Sequence, residues 1–231
     1  MRTTHINADM SHQNTMVYKF GEFIDSLYKN GLLSTARKVG QRIYYKSRGL
    51  DFSTENIYNL TRIGAYQNHG TAFVPTSKDF LQQLIEDLED AIDGRLDREL
   101  FVDCGSGKGS AIIHARKIGF KRSIGVEFTQ ELHIIAEANI EKLKLKSTDS
   151  IYGDVTTYQI PNDVSVIYLF NPFDEVVMEK FLENLLRQKS SFGGEVYLIY
   201  KNASSTLLNK RLNLIKEIIY PSEATAHFYK L

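Results

Sequence analysis

Residues 100–109 read Leu-Phe-Val-Asp-Cys-Gly-Ser-Gly-Lys-Gly, and the rest of the chain is organised around this stretch. Its apolar start predicts a strand, its alternate glycines predict a tight turn, and the pattern that resumes at Ala111 predicts a helix. Glycine has no Cβ, so the backbone at Gly105 and Gly107 can take a positive φ and let a ligand lie against the main chain. The stretch therefore predicts a binding turn at a helix N-terminus, whose free N–H groups face the ligand.

A second predicted strand, residues 121–127, ends in an acidic residue. Glu127 stands about 20 residues beyond the glycine turn, where nucleoside-binding βαβ units place a carboxylate for the ribose hydroxyls. An ordinary strand-to-helix turn would explain the glycines, but it would not explain a carboxylate at this spacing. Asp103, the glycines and Glu127 therefore form one candidate site.

Two phosphate-binding motifs also use glycine turns, and neither fits this chain. The dinucleotide motif Gly-x-Gly-x-x-Gly requires a third glycine at the position of Ser110. The P-loop requires Ser or Thr after its lysine, whereas Gly109 follows Lys108. The turn is therefore not expected to bind phosphate.

The run Asp103-x-Gly105-x-Gly107-x-Gly109, with Glu127 beyond it, resembles the S-adenosylmethionine site of class I methyltransferases. The resemblance implies S-adenosyl-L-methionine as the cofactor. It places Gly105 and Gly107 beneath the methionine part of the cofactor and Glu127 on the ribose hydroxyls. A nicotinamide-dependent oxidoreductase is the disfavoured alternative, because its glycine motif is incomplete here.

Further cofactor contacts follow from the same resemblance. Asp154, after the third predicted strand, resembles the residue that hydrogen-bonds the adenine amino group, although simple turn chemistry also explains an Asp there. The predicted cofactor contacts are Thr76, Asp103, Gly105, Ser106, Gly107, Glu127, Phe128, Asp154 and Asn171. No metal site is predicted.

Residues 169–174, Leu-Phe-Asn-Pro-Phe-Asp, end the fourth predicted strand. They resemble the Asn-Pro-Pro-Tyr motif of amino-group methyltransferases, in which the Asn side-chain oxygen and the next carbonyl aim the lone pair of the attacking nitrogen. Phe173 and Asp174 depart from that motif, so a catalytic role carries over to Asn171 and Pro172 alone. In the alternative interpretation, Asn171 ends the strand and Asp174 caps the next helix.

Methyl transfer from a sulfonium has an excellent leaving group, so positioning and water exclusion can supply most of the rate. The acceptor must still lose a proton, and His69 is the predicted catalytic base, with Asp174 as a second candidate. His69 belongs to a long loop without helix or strand period, over residues 49–74. Long loops of this kind are often functional, and we expect a lid that touches the substrate.

Strands alternate with helices after residue 100, which predicts an α/β fold with a doubly wound, mainly parallel sheet. Two final strand-like runs, residues 214–220 and 225–231, meet at Pro221 and predict a C-terminal antiparallel hairpin. The resemblance to class I methyltransferases implies that this hairpin completes a seven-stranded sheet. Thr76 and Asp79 have the spacing of a capping box before a predicted helix.

The predicted organisation has three parts: an N-terminal helical arm (1–48), a lid or substrate loop (49–76) and an S-adenosylmethionine-binding methyltransferase domain (77–231). Apolar residues at helical spacing predict arm helices over residues 16–30 and 32–45. The second of these is basic and aromatic. It could recognise an acidic partner, an anionic lipid surface or a second subunit, or simply pack on the catalytic domain.

Composition sets outer limits on function. The chain has 231 residues, of which 42% are hydrophobic, and 28 basic residues balance 28 acidic ones. The net charge thus gives no reason to expect a nucleic-acid partner. Cys104 is the single cysteine, as a reducing compartment permits, and no apolar run approaches the ~20 residues of a membrane span. We expect a cytoplasmic protein without a membrane span.

The leading interpretation is an S-adenosylmethionine-dependent methyltransferase that acts on a nitrogen nucleophile. Val-Pro-Thr before a helix, together with the segments Gly-Val-Glu-Phe and Leu-Phe-Asn-Pro-Phe, is loosely similar to seven-strand protein-lysine methyltransferases. In those relatives the Pro-Thr segment folds over the cofactor, which implies a role for Thr76. Alternatives are an O-methyltransferase of a small molecule or glycan and a non-catalytic S-adenosylmethionine-binding module. The methyl acceptor, a protein side chain or a small molecule, and the oligomeric state are not given by the sequence.

Overall fold

A computed structural model of the chain describes residues 36, 39–41, 43–54, 60–61, 73–222 and 224–231. The helix predicted over residues 16–30 and the predicted base His69 lie outside these residues, as does most of the predicted lid. Within the helix predicted over residues 32–45, every described position is helical.

The chain divides into two compact units, residues 1–44 with 220–223 and residues 45–219 with 224–231. The domain boundaries predicted at residues 48/49 and 76/77 stay predictions. The site described below lies entirely in the second unit.

The second unit alternates strands and helices along the chain. Its elements are α1 (Lys78–Ala91), β1 (Leu100–Cys104), α2 (Ser110–Lys117), β2 (Arg122–Glu127), α3 (Gln130–Lys142), β3 (Thr148–Tyr152), β4 (Val164–Phe170), α4 (Glu175–Gln188), a 3₁₀ turn (Lys189–Ser191), β5 (Tyr197–Lys201), α5 (Leu207–Arg211), β6 (Asn213–Ile219) and β7 (Thr225–Lys230).

The strands form one seven-stranded sheet in the order β3-β2-β1-β4-β5-β7-β6. The first five of these strands pair in parallel. β7 is antiparallel to both of its neighbours, β5 and β6, so it alone runs against the other strands. The predicted doubly wound α/β sheet with a C-terminal antiparallel hairpin is confirmed.

The position of β1 determines where a ligand can bind. Strands β2 and β3 are added one after the other on one edge of β1, and the chain then crosses back to place β4 against the other edge of β1. Open α/β sheets bind ligands in the crevice that this reversal leaves at the carboxyl ends of the strands. β1 lies between β2 and β4 and is buried at every position, so the residues that follow it lie in the middle of that edge.

Helix α4 illustrates how local sequence and packing agree. The Asp174 side chain caps it by accepting hydrogen bonds from Val176 N at 3.1 Å and Val177 N at 3.3 Å. Apolar residues at helical spacing then enter the core: Val177, Met178, Phe181, Leu182 and Leu185. Each such side chain contributes about 1.5–3 kcal/mol when fully buried. The capping role predicted as an alternative for Asp174 is thus confirmed.

The third strand begins earlier than expected. The sequence predicted it over residues 151–153, whereas β3 spans Thr148–Tyr152. β3 lies at the edge of the sheet and pairs only with β2. Asp149 is exposed at this edge, and the buried Thr148 hydroxyl accepts a hydrogen bond from Ser123 Oγ at 3.3 Å, so both polar residues are accepted although they hide the strand from a hydrophobicity pattern.

Candidate functional site

The glycine turn between β1 and α2 adopts the backbone that the sequence predicted. Gly105, Gly107 and Gly109 have φ of 90°, 53° and 80°. A Cβ on Gly105 would lie 2.4 Å from the Cβ of Pro172, and a Cβ on Gly107 would lie 2.0 Å from Cδ2 of Phe73. Both the dihedral angles and the close neighbours therefore require glycine at this turn.

Glu127, the last residue of β2, reaches directly into the turn. Its Oε2 accepts a hydrogen bond from Gly107 N at 2.7 Å, and its Oε1 accepts one from Thr129 N at 2.8 Å. Burial raises the pKa of this carboxyl group, and the backbone N–H bonds oppose that rise. The predicted proximity of Glu127 to the glycines is confirmed.

Asp103 is a second buried carboxyl group at the same place. Among the described residues, its Oδ1 has no hydrogen-bond partner. Burial and the neighbouring charge of Glu127 raise its pKa well above the usual range. A buried acceptor without a donor costs free energy, and this one would be satisfied by a cationic or hydrogen-bonding ligand group.

A cavity opens over these residues. Of the predicted site residues, it is lined by Thr76, Asp103, Gly105, Ser106, Gly107, Glu127, Phe128 and Pro172. Ser106 Oγ and Thr129 Oγ1, like Asp103 Oδ1, are buried without a hydrogen-bond partner among the described residues, and Thr129 also lines the cavity. The unsatisfied buried polar side-chain atoms of the described residues thus all belong to residues that line one cavity.

Thr76 has a different role from the one predicted. The capping box at Thr76 and Asp79 is wrong, because α1 begins at Lys78 and its N-cap is Ser77, whose side chain accepts from Phe80 N. The Thr76 hydroxyl instead forms a 2.9 Å hydrogen bond with the Tyr168 hydroxyl. This bond draws Thr76 into the cavity wall and leaves the capping position to Ser77.

Lys108, the lysine of the glycine turn, is also buried. Its Nζ lies 2.9 Å from Asp51 Oδ2 and 2.9 Å from Ser53 Oγ. The ammonium group therefore holds residues 51–53 in place.

Asp154 and Asn171 lie at the same edge of the sheet but do not line the cavity. The Asp154 side chain accepts from Thr156 N at 2.8 Å, and Gly153 N donates to Glu127 O at 2.9 Å, which fixes this turn beside β2. Asn171 has φ of 40°, and its Oδ1 accepts a hydrogen bond from Ser204 Oγ at 2.5 Å. The predicted roles of both residues stay predictions.

Several cavity residues had no functional prediction, namely Ser110, Thr129, Leu132, Tyr168 and Phe170. Tyr168 brings a hydroxyl group into the apolar run 166–170 of β4, and this contrast was a usable signal. Thr129 stands at the start of the helix that follows β2, and its position gave no functional signal. Cys104 belongs to the core, and burial raises its thiol pKa, so it is not a reactive thiolate.

Two absences concern the described residues only. None of their helices combines the length and apolar character that crossing a membrane requires. None of their His, Cys, Asp and Glu side chains gather in groups of three or more that could hold a metal ion.

No protein-family model matches the chain, and no curated protein matches it. Several solved structures, however, are similar to the chain. An RNA methyltransferase from Salinibacter ruber, in complex with S-adenosyl-L-homocysteine, has a TM-score of 0.52 and 19% identity over 68% of this chain and 93% of that one. The Escherichia coli protein yhhF, a candidate methyltransferase, has a TM-score of 0.51 and 12% identity over 64% and 84% of the two chains. The chain therefore has the fold of the class I S-adenosylmethionine-dependent methyltransferases.

Proposed function

We propose that the protein is an S-adenosylmethionine-dependent methyltransferase that transfers a methyl group to a nitrogen nucleophile. The observation that carries this proposal is the glycine turn with Asp103 and Glu127 beside it. It lies at the strand-order reversal, and three buried polar side-chain atoms beside it, Asp103 Oδ1, Ser106 Oγ and Thr129 Oγ1, have no hydrogen-bond partner among the described residues. The two carboxylates provide acceptors for the cationic group and the ribose hydroxyls of a ligand.

The chain's residues fit such a cofactor. Asp103 would accept hydrogen bonds from its ammonium group, Gly105 and Gly107 would pass beneath its methionine part, and Glu127 would accept from the ribose hydroxyls. Each Glu127 oxygen already accepts one backbone N–H and retains a second acceptor site. By the family resemblance, Asp154 would bind the adenine amino group, with Phe128 beside the ring.

When bound, the cofactor supplies a methyl group on a sulfonium. The protein then has to hold the acceptor in line and keep water out. Pro172 forms part of the cavity wall, and Asn171 stands next to it at the end of β4. Asn171 Oδ1 accepts hydrogen bonds from Ser204 Oγ at 2.5 Å and from the Tyr200 hydroxyl at 3.5 Å, so aiming an acceptor amine would exchange one of these bonds for one from the amine.

Calorimetry with S-adenosylhomocysteine tests the cofactor assignment. We expect binding by the wild type and at least about tenfold weaker binding by Glu127→Gln, because the amide offers one acceptor oxygen where the carboxylate has two. Glu183→Gln, which changes an exposed carboxylate on α4, is the matched control and should bind like the wild type. Absence of binding, or equal binding by all three proteins, would refute the assignment.

The acceptor requires a separate experiment. Incubating the protein and labelled cofactor with a cell lysate, and then separating protein, RNA and small molecules, identifies the labelled class. Label on protein lysine would support the loose likeness to protein-lysine methyltransferases. RNA belongs among the fractions because one similar structure is an RNA methyltransferase, and the sequence-based expectation against nucleic acid rests on net charge alone.

The same experiment separates the alternatives. An O-methyltransferase of a small molecule or glycan would leave the label in those fractions, in products whose methyl group is bound to oxygen. A non-catalytic binding module would bind S-adenosylhomocysteine and label nothing. We also propose a cytoplasmic location, in line with the single cysteine Cys104, and fractionating the native cells tests it.

A further inference from the structure

The Phe73 side chain covers the glycine turn on which the proposed cofactor would lie. A Cβ built on Gly107 would lie 2.0 Å from Cδ2 and 2.5 Å from Cε2 of Phe73, so the ring is in van der Waals contact with the turn. Phe73 is 8% exposed and lines the cavity together with Gly107 and Glu127. The same side of Gly107 therefore cannot hold both this ring and a ligand.

The size of the cavity leads to the same conclusion. Its volume is about 40 Å³, whereas sites for small organic ligands usually have roughly 300–1,000 Å³. A ligand with a nucleoside and an amino-acid part belongs to that larger class. The cavity therefore has to open before such a ligand can lie over the glycine turn.

The wall next to Phe73 along the chain is held in place. The Thr76 N–H donates to Ser110 Oγ at 3.0 Å, and the Thr76 carbonyl accepts from His114 Nδ1 at 3.0 Å. The Thr76 hydroxyl pairs with the Tyr168 hydroxyl. These three hydrogen bonds fix Thr76 to α2 and β4, so a movement of Phe73 has its fixed point three residues further along the chain.

The contacts of Phe73 itself are of a kind that can be broken without opening the main core. Phe73 and Leu132 form a small apolar cluster that is separate from the main core, and Leu60 and Phe128 pack against it. The Lys108 amine lies 5.9 Å from the centre of the Phe73 ring, at the outer limit of a cation–π contact. Small clusters at the edge of a domain open locally at a lower free energy than the core does.

We propose that Phe73 is a gate of the cofactor site. Its ring covers Gly107 in a closed form of the protein, which is the form described above, and moves away in an open form that binds an adenosyl ligand. This inference rests on the proposed function. Because only the open fraction of the molecules can bind, the gate lowers the apparent affinity and slows association.

The position of the ring in the wild type is the first test. In deuterated protein with ¹³C-labelled glycine and protonated phenylalanine, the contact of Phe73 with Gly107 gives a nuclear Overhauser signal that Phe73→Leu lacks. We expect this signal before ligand is added and its loss at saturating S-adenosylhomocysteine. A signal that is absent from the start, or that survives saturation, would overturn the gate.

Binding kinetics give the second test. By surface plasmon resonance we expect Phe73→Ala to bind S-adenosylhomocysteine about tenfold faster and tighter than the wild type, because no ring has to move. Phe192→Ala removes a ring that packs on the main core and does not line the cavity, so it should bind like the wild type. Weaker binding by Phe73→Ala would contradict the gate, because it would show that the ring stays and contacts the ligand.

The outcomes separate the two proposals. If neither the wild type nor Phe73→Ala binds S-adenosylhomocysteine, the proposed function fails. If both bind and Phe73→Ala binds no better than the wild type, or the nuclear Overhauser signal survives saturation, the gate fails alone. The nuclear Overhauser measurement is made on the wild type, so it decides the matter even where Phe73→Ala folds poorly.

Discussion

His114 shows how one buried residue links the cavity wall to the protein around it. Its Nδ1 lies 3.0 Å from the carbonyl oxygen of Thr76, which can only accept, so Nδ1 carries the proton. Nε2 of the neutral ring then accepts from the Tyr45 hydroxyl. Burial is the main reason why the pKa of His114 is lowered to about 3. Hydrogen bonds at both ring nitrogens thus give His114 a structural role.

This lowered pKa makes stability depend on pH. The unfolded chain takes up a proton near pH 6.5 that folded His114 does not, so the stabilisation is present above that pH and is lost as the pH falls. From pH 6.5 to pH 4, we expect the free energy of unfolding to fall about 3 kcal/mol further in the wild type than in His114→Gln. Urea unfolding across this range measures the difference.

His133→Gln, on α3, serves as the control for a histidine substitution. It should follow the wild type, and equal pH profiles for the wild type and His114→Gln would contradict a neutral buried His114.

At this scale the sequence predicted the carboxylates Asp103 and Glu127 and several neutral cavity residues, and it missed Thr129 and Tyr168. Asp103 and Glu127 were found because acidic residues at strand ends are conspicuous against apolar runs. The Thr76–Tyr168 hydrogen bond joins residues that the chain separates widely, and it was not predictable from local spacing. The capping prediction failed because Ser77 and Thr76 are both good caps and only the tertiary contact decides between them.

At the scale of elements, helix α3 fixes the segment around residue 51, near the start of the predicted lid. Asn139 of α3 accepts from Asp51 N at 3.0 Å and donates to Asp51 O at 2.9 Å and to Lys108 O at 3.0 Å. One buried amide thus connects residue 51 with the glycine turn. Lys108, which belongs to the turn, also binds the Asp51 side chain.

Removing that amide should loosen both the segment and the turn. Asn139→Ala loses three hydrogen bonds from a buried position and leaves their backbone partners unsatisfied, which is expected to cost about 2–4 kcal/mol of unfolding free energy. Denaturant unfolding measures this cost. The exposed change Glu141→Gln on the same helix should cost less than about 0.5 kcal/mol, and similar losses in both variants would contradict the role of Asn139.

Strands with a continuous apolar sequence were predicted accurately, whereas the edge strand β3, which contains polar residues, was not. The buried strand β4 was predicted over the observed residues 164–170, because a strand covered on both faces reads as a continuous apolar run. The start of β3 was missed because half of an edge strand faces solvent.

At the scale of the whole molecule, ligand binding and folding are coupled. A ligand that binds only the folded state at 100 times its Kd adds about 2.7 kcal/mol to the free energy of unfolding. For a chain of this size we expect saturating S-adenosylhomocysteine to raise the Tm by about 5–10 °C. A thermal-shift assay measures this, and an equal shift with a nicotinamide dinucleotide would contradict the cofactor assignment.

The overall topology was predictable because strand–helix alternation and right-handed crossovers leave few arrangements of a parallel sheet. The final hairpin limited the choice further. The methyl acceptor was not predictable, since its binding surface depends on segments without a regular pattern.

The most direct test is a crystal structure of the protein with S-adenosylhomocysteine. We expect the ligand in the cavity over Gly105 and Gly107, with its ammonium group on Asp103 and its ribose hydroxyls on Glu127. A ligand bound elsewhere, or one in this cavity that leaves both carboxylates without a contact, would contradict the methyltransferase site.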